Sequence, residues 1–172
     1  MRYDFVVDMD GICCDFVPAI CAVHNNATGD KLKPSDVTDW DLRKFGVADE
    51  LWKKPGFFYS LDPILGAKEV LWKWRKEYNF CIATDDMGID YVQREKQAWL
   101  DKHLPFIKSR YFGRDKSWIP GRIIIDDAPH HLNEFPNLKI KMNYPYNHDI
   151  YADFHVENWQ QIDAIFKQGA IK

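Results

Sequence analysis

The sequence predicts an α/β fold in which helices cover both faces of a mostly parallel sheet, with a small helical subdomain inserted after the first strand. Apolar segments of strand length alternate along the chain with segments of helical periodicity, which is typical of this fold class. The interval between the first two candidate strands is far longer than a simple crossover needs. The length of 172 residues, with 23 basic and 26 acidic side chains, fits one globular domain.

Four apolar segments have the length and composition of buried strands. They lie at residues 3–7, 80–83, 122–125 and 138–142. Because helical patterns alternate with these segments, we expect the strands to run parallel in one sheet. The carboxyl ends of such strands share one edge of the sheet, where α/β proteins bind their ligands.

Three helices are predicted from apolar residues that recur every three or four positions. Their apolar faces comprise Ala67, Leu71, Trp74 and Tyr78, then Ile89, Val92, Trp99 and His103, and finally Trp159, Ile162 and Phe166. Lys96 interrupts the second face with a charge. Asn158 and Gln161 resemble a capping box ahead of the third helix. We interpret all three faces as core packing.

The long interval after the first strand is predicted to be a cap. Residues 17–65 contain several prolines and a dense group of aromatic side chains. We expect this segment to form a small helical subdomain, while residues 1–16 and 66–172 form the core. Aromatic residues make up 15% of the chain, which indicates that some rings face a flat ligand as well as the core.

Composition disfavours several classes of protein. No segment approaches the roughly 20 consecutive apolar residues that span a bilayer, and the first residues lack the apolar region of a secretory signal, so we expect a cytoplasmic protein with no membrane partner. The near balance of charge disfavours binding to long nucleic acid. The four cysteines do not match zinc spacings, and we expect free thiols. The six histidines lack a catalytic partner pattern, and we interpret them as surface or turn residues, with a position at the border of the site as the alternative for His130.

Acidic side chains follow three of the predicted strands. Asp8 and Asp10 come after the first strand, Asp85 and Asp86 after the second, and Asp126 after the third. Carboxylates that converge at one edge of a sheet raise one another's pKa unless a cation neutralises them. Mg²⁺ suits such a site because it prefers oxygen ligands and leaves positions for water and phosphate. The sequence therefore predicts a magnesium site.

Further residues near these strand ends suit an anionic phosphoryl group. Lys116 supplies a point charge, and Thr84 at the end of the second strand supplies a hydroxyl. Gly11 lets the chain turn closely, so that backbone N–H groups can face a phosphate. A carboxylate at Asp8 can attack phosphorus, and Asp10 can act as the general acid and base. A single aspartate at a strand end is more often a turn former, but chance poorly explains this ordered set.

The ordered motifs resemble those of the haloacid dehalogenase superfamily. The first motif is Asp8-Met9-Asp10-Gly11, and the later ones are Thr84, Lys116 and Asp126-Asp127. The resemblance implies a Rossmann-like core and phosphatase chemistry, with Asp8 as the nucleophile and Asp10 as the acid and base. It also implies metal ligands from Asp8, Asp126 and the Asp10 backbone carbonyl, with Asp127 just outside them. Phosphate-binding groups would come from Met9, Gly11, Thr84, Asp85 and Lys116.

Within that superfamily the chain resembles the 5'(3')-deoxyribonucleotidases. The likeness rests on Asp15-Phe16, Phe57-Phe58, Glu95-Lys96, Lys116-Ser117, Tyr144-Pro145-Tyr146-Asn147 and Asn158-Trp159, together with the motifs above. It implies that aromatic side chains around the cap stack on a nucleobase. The candidates for the pocket wall are Phe16, Trp40, Phe45 and either Phe57 or Phe58, with core packing as an equal alternative for each. One departure is Asp85-Asp86 after Thr84, where that family often has Ser or Pro.

We therefore expect a Mg²⁺-dependent phosphatase for nucleoside 5'(3')-monophosphates, with deoxyribonucleotides preferred and an aspartyl-phosphate on Asp8. Two alternatives stay open. One is a phosphatase for another small phosphomonoester or for a nucleic-acid 5' end. The other is a catalytically silent module that binds nucleotides. The expected partner is a small nucleotide, and a homodimer is left open.

Overall fold

The structure is a computed structural model that describes residues 2–167. The strands in this part of the chain are β1 (Tyr3–Val7), β2 (Phe80–Thr84), β3 (Arg110–Phe112), β4 (Gly121–Asp126), β5 (Leu138–Met142) and β6 (Phe154–Val156). All of them pair in parallel in one sheet, in the order β3-β2-β1-β4-β5-β6. The predicted parallel sheet is confirmed.

The described residues also contain six α-helices. They are α1 (Phe16–Thr28), α2 (Asp49–Trp52), α3 (Ala67–Trp74), α4 (Asp90–His103), α5 (Pro129–Glu134) and α6 (Trp159–Lys167). Single 3-10 turns lie at Pro34–Asp36, Leu42–Phe45, Phe58–Ser60 and Pro145–Asn147. No helix in the described range is long and apolar enough to cross a membrane.

The sheet is buried on both faces, because successive residues of a strand point to opposite sides. On one side Phe5 packs against Trp74 of α3 and Phe166 of α6. On the other side Val6 packs in a cluster with Leu132 of α5. The expectation of helices on both faces is thus confirmed. The four cysteines are buried free thiols, as the sequence indicates.

The register of the central strands sets the position of the site. Val7 of β1 lies opposite Ile82 of β2 and Ile125 of β4. The residues that follow these three positions therefore emerge side by side at the carboxyl edge of the sheet. They include Asp8 and Asp126.

Two features differ from the sequence prediction. Strands β3 and β6 have three residues each and lie toward the two edges of the sheet, too short for an alternating pattern to reveal. The predicted face ending at Tyr78 extends past the helix, since α3 ends at Trp74. Tyr78 nevertheless packs edge-on against Phe5, with ring centroids 5.2 Å apart.

The segment between β1 and α3 contains the 13-residue helix α1, the short helix α2 and three 3-10 turns. It is attached to the core through Glu95 of α4, whose carboxylate accepts hydrogen bonds from the backbone N–H of Gly56 over 2.5 Å and of Phe58 over 3.1 Å. Helix α1 begins at Phe16, next to the expected boundary at residue 17. The division into core and cap remains a prediction.

Candidate active site

A buried lysine and two carboxylates form the centre of the site. Lys116 Nζ donates hydrogen bonds to Asp8 Oδ1 over 2.6 Å and to Asp126 Oδ2 over 2.7 Å. Asp8 follows β1, Asp126 ends β4, and Lys116 lies in the loop between β3 and β4. All three side chains are buried. Little water screens their charges, so each strongly affects the others.

The three carboxyl groups differ in the direction in which their surroundings shift the pKa. Burial raises the pKa of Asp8 to about 6, although Lys116 acts in the opposite direction. Burial also raises the pKa of Asp127 well above its usual range, and Asp8 and Asp126 add to that rise. Burial also acts to raise the pKa of Asp126, but the effects of Lys116 and His131 are larger. They hold the pKa of Asp126 below its usual range. A further cation would relieve the repulsion among these groups.

The carboxylate cluster fits a hard divalent cation. One oxygen from each of Asp8, Asp126 and Asp127 lies within 4.8 Å of the others. Asp127 Oδ1 is buried and finds no hydrogen-bond partner within residues 2–167. Donors that are all oxygens suit Mg²⁺. The cluster includes the Asp127 carboxylate, which the sequence prediction placed outside the metal ligands. The predicted ligand from Asp10 is its backbone carbonyl, and this remains a prediction.

Lys96 is a second buried lysine at the site, and the sequence analysis assigned it no role. It lies in the middle of α4 and is fully buried. Its Nζ donates hydrogen bonds to the Asp10 carboxylate, to Thr84 Oγ1 over 2.9 Å and to the Asp85 carbonyl over 2.6 Å. The sequence signal that could have identified Lys96 was its position on an apolar helix face, because a buried lysine requires polar partners.

The turn after β1 folds tightly on itself. The N–H groups of Cys13 and Cys14 donate to the Met9 carbonyl over 2.7 and 3.0 Å, and the Gly11 N–H donates to the Cys14 carbonyl over 2.8 Å. Gly11 has φ of +73°, and a Cβ there would lie 2.5 Å from Asp127 Oδ2, so glycine is required. Because its N–H is already bonded, Gly11 does not offer a free amide to phosphate in this conformation.

A pocket of about 450 Å³ opens over these residues. Its lining includes Asp8, Asp10, Asp85, Phe16, Val17, Trp40, Trp52, Lys53, Arg114, Asp127, His130 and Tyr146. The sequence prediction named Phe16 and Trp40 for this wall. It did not name Trp52 or Tyr146, whose rings the aromatic content alone could not distinguish from core residues.

Phe45, Phe57 and Phe58, also expected at the wall, do not line this pocket. Phe57 and Phe58 are buried and pack behind the wall, with ring centroids 6.0 and 6.2 Å from that of Phe16. Phe45 is partly buried against the core. For these three residues the structure favours the alternative of core packing.

Thr84 and Asp85 lie at the end of β2 on the Lys96 side. Thr84 is buried, and its hydroxyl accepts the hydrogen bond from Lys96. Asp85 lines the pocket, and its carboxylate accepts a hydrogen bond from the Met87 N–H over 2.7 Å. One of the two acidic residues that depart from the pattern of the resembled family therefore lies at the pocket.

Two histidines border the site. The position of His130 agrees with the alternative that the sequence left open, whereas the interpretation of His131 as a surface or turn residue is wrong. His131 is buried, with Nδ1 3.2 Å from Asp126 Oδ2 and Nε2 3.0 Å from the Arg114 carbonyl oxygen. His130 lines the pocket. Burial, and then His131, lower the pKa of His130 to about 4, so this ring is neutral at pH 7. His24, in α1, is also buried.

Comparison with known proteins identifies relatives over the whole chain. Residues 2–170 match the family model described as 5' nucleotidase, deoxy (pyrimidine), cytosolic type C protein. The 5'(3')-deoxyribonucleotidase of Bacillus subtilis (strain 168) is 26% identical over 168 residues, which cover 95% of this chain and 98% of that protein. A putative 5'(3')-deoxyribonucleotidase of Staphylococcus epidermidis is 27% identical over 173 residues, covering 96% of each.

Solved structures support the fold. One similar structure is a haloacid dehalogenase family hydrolase from Deinococcus radiodurans R1, solved with bound phosphate and sodium. Its TM-score is 0.70 at 13% identity, and the aligned region covers 98% of this chain and 97% of that chain. A haloacid dehalogenase-like protein from Streptococcus pneumoniae has a TM-score of 0.62 at 13% identity, covering 96% of this chain and 98% of its own. The resemblance seen in the sequence motifs is confirmed. Since the family model matches nearly the whole chain, this chain, whose fold is that of haloacid dehalogenase-like proteins, belongs to the 5' nucleotidase, deoxy (pyrimidine), cytosolic type C family and is a nucleotidase-type hydrolase.

Proposed function

We propose that this protein is a Mg²⁺-dependent phosphatase that hydrolyses nucleoside 5'(3')-monophosphates and prefers deoxyribonucleotides. The observation that carries the proposal is one pocket of about 450 Å³ lined by both Asp8 and Asp10 and by the rings of Phe16 and Trp40. Carboxylates can act as nucleophile and acid on a phosphate ester, and flat rings can stack on a base. The names of the curated relatives support the same substrate class.

In the proposed reaction Asp8 is the nucleophile. One of its carboxylate oxygens attacks phosphorus to form an aspartyl-phosphate, and the bond between phosphorus and the sugar oxygen breaks. Asp10 transfers its proton to that leaving oxygen. Asp10 then removes a proton from water, whose oxygen attacks phosphorus. The bond between phosphorus and Asp8 breaks, which releases phosphate and restores both side chains.

The surrounding residues would hold the cation and the phosphate. Asp8, Asp126 and Asp127 supply carboxylate oxygens for Mg²⁺, and the Asp10 carbonyl is the further expected ligand. When bound, Mg²⁺ would neutralise charge on the phosphate oxygens. Lys116 already bonds Asp8 and Asp126, which keeps a positive charge next to the reacting oxygen.

The phosphate itself would be held by donors around the strand ends. Lys116 and Thr84 offer an ammonium and a hydroxyl, and Met9 offers its backbone N–H. Gly11 would join them only after its bond to the Cys14 carbonyl opens. Asp85 would act through its backbone N–H, because its carboxylate repels phosphate.

The test is phosphate release from a panel of substrates. The panel comprises dTMP, dUMP, the 3'-monophosphate of thymidine, UMP and deoxyribose 5-phosphate, each with Mg²⁺ and after treatment with EDTA. We expect Mg²⁺-dependent release, fastest from the deoxyribonucleotides. Release from deoxyribose 5-phosphate with none from any nucleotide would reject the nucleotide assignment and favour a phosphatase for another small phosphomonoester.

A second measurement addresses the silent binding module. Aluminium fluoride with Mg²⁺ should form a stable complex on the wild-type protein but not on Asp8→Asn, since the mimic requires the nucleophilic oxygen. Equal nucleotide binding by both proteins, with turnover by neither, would favour the binding module. We also propose a cytoplasmic location with no membrane or long nucleic-acid partner. Light scattering measures whether the protein is a monomer or a homodimer.

A further inference from the structure

The loop after β5 is fixed firmly against the active site. Lys141 of β5 is fully buried, and its Nζ donates to the carbonyl oxygens of Asn147 over 2.6 Å and of Ile150 over 2.9 Å. The Asn147 side-chain amide donates in turn to the Asp127 carbonyl over 2.7 Å. Tyr144 OH donates to the Gly11 carbonyl over 2.7 Å. The loop thus contacts both the turn after β1 and the residues that follow β4.

Tyr146 is the residue of this loop that contacts a carboxylate of the cluster. Its hydroxyl donates a hydrogen bond to Asp127 Oδ2. The other carboxylate oxygen, Asp127 Oδ1, is buried and has no hydrogen-bond partner in the described part of the chain. One oxygen is therefore held by Tyr146, and the other remains available to a ligand.

The ring of Tyr146 faces the substrate pocket. It lines the pocket and meets Trp40 edge-on, with ring centroids 5.4 Å apart. Behind it, the ring of Tyr144 stacks nearly parallel at 5.2 Å and 4°. Two tyrosines packed in this way restrict the rotation of the Tyr146 ring, and so they restrict where its hydroxyl can point.

We propose that Tyr146 is a positioning residue that orients the Asp127 carboxylate for the cation, while its ring forms part of the wall that contacts the nucleoside. The inference rests on the proposed function and deepens it. Groups that hydrogen-bond to metal ligands orient them, and their loss typically costs about 10- to 100-fold in metal affinity. The two contributions of Tyr146 are separable, because phenylalanine keeps the ring and lacks the hydroxyl.

The test measures Mn²⁺ binding without substrate, by electron paramagnetic resonance, in wild type, Tyr146→Phe and Tyr151→Phe. Tyr151 is a matched control, since its hydroxyl donates to Asp153 Oδ1 over 3.2 Å at an exposed position that does not line the site pocket. We expect Tyr146→Phe to weaken Mn²⁺ binding by about 10-fold or more. Tyr151→Phe should bind Mn²⁺ like wild type. With saturating Mn²⁺, the KM for dTMP should stay within about 2-fold in Tyr146→Phe, because the ring remains.

A double-mutant cycle distinguishes positioning from a general loss of structure. If Tyr146 acts through Asp127, adding Tyr146→Phe to Asp127→Asn should not weaken Mn²⁺ binding further. Equal Mn²⁺ affinity in Tyr146→Phe and wild type, with dTMP hydrolysed normally, would overturn the positioning role and leave the nucleotidase proposal intact. A further loss in the Asp127→Asn background would also overturn it. A wild type that neither binds Mn²⁺ nor hydrolyses dTMP would overturn the positioning role and the proposed function together.

Discussion

Lys96 Nζ donates a hydrogen bond to Thr84 Oγ1 over 2.9 Å, and this contact joins the middle of α4 to the end of β2. The same ammonium also bonds the Asp10 carboxylate. It therefore holds the proposed acid and base next to a proposed phosphate donor. A buried ammonium with three acceptors fixes their relative positions more firmly than solvent could.

Lys96→Met should lower kcat for dTMP by about 10- to 100-fold, since a misplaced general acid loses part of its contribution. Methionine has a similar length but cannot donate hydrogen bonds. Steady-state kinetics measure the effect. The matched control is Lys102→Met, an exposed lysine on the same helix, which should keep the wild-type kcat. An unchanged kcat in Lys96→Met would show that Asp10 needs no such support.

Lys96 also illustrates what the sequence could and could not predict. Helical periodicity places residue 96 on the same face as Val92 and Trp99, and this face is buried as predicted. Periodicity does not show that the middle of α4 faces the end of β2, because that depends on how the helix packs across the sheet. A charge on that face therefore looked like an interruption, although it lies in the site.

The strand ends were more predictable than the pocket wall. Asp8 and Asp126 converge because parallel strands share an edge, and that rule depends on order along the chain. Which rings face a ligand depends instead on packing in three dimensions. Phe58 lies behind Phe16, while Trp52 and Tyr146 line the pocket, and no local pattern separates these cases. Tyr146 reaches Asp127 only through a loop fixed by Lys141.

Asp8→Asn should abolish turnover of dTMP while preserving the fold. The amide nitrogen and oxygen are not effective nucleophiles, whereas the amide oxygen can still accept the hydrogen bond from Lys116. Phosphate release and thermal unfolding should be measured together. Substantial residual activity in a protein that lacks the Asp8 carboxylate would contradict the covalent mechanism.

Asp10→Asn should slow the reaction without removing the nucleophile. Loss of a general acid and base typically costs about 10²- to 10⁴-fold, so kcat should fall within that span. Rapid quenching should still detect phosphate on Asp8 when a substrate with a good leaving group is used, because such a group needs little protonation. If kcat instead remains near the wild-type value, another residue supplies the proton.

Trp40→Ala should weaken the enzyme's preference for substrates that carry a base. Stacking on one aromatic ring contributes about 1–3 kcal/mol, so kcat/KM for dTMP should fall by about 5- to 150-fold. The value for deoxyribose 5-phosphate should hardly change, since that substrate has no base. Trp72→Ala is the matched control, because Trp72 is 50% exposed, as against 47% for Trp40, and does not line the pocket. Equal losses on both substrates would argue against a base contact.

Asp163 of α6 should stabilise the fold in a pH-dependent manner. Its carboxylate accepts hydrogen bonds from Lys73 Nζ over 2.6 Å and Trp74 Nε1 over 3.0 Å, both in α3. Burial opposes its charge, but hydrogen bonds from Lys167, Lys73 and Trp74 outweigh this effect and lower the pKa of Asp163 to about 2. A carboxyl group with a lowered pKa in the folded state stabilises that state above its unfolded pKa, and the stabilisation is lost as the pH falls toward the folded value.

Asp163→Asn should therefore have a free energy of unfolding lower than that of wild type at pH 7 by about 1.5–3 kcal/mol, the range found for hydrogen bonds to a charged group. The difference should shrink as the pH falls from about 4 to about 2, because wild-type Asp163 then becomes neutral as well. Urea unfolding at a series of pH values measures it. Asp101→Asn is the control, since Asp101 pairs with Arg110 at an exposed position and should contribute less. If the difference in the free energy of unfolding between Asp163→Asn and wild type stayed constant down to pH 2, the charge of Asp163 would not link α3 to α6.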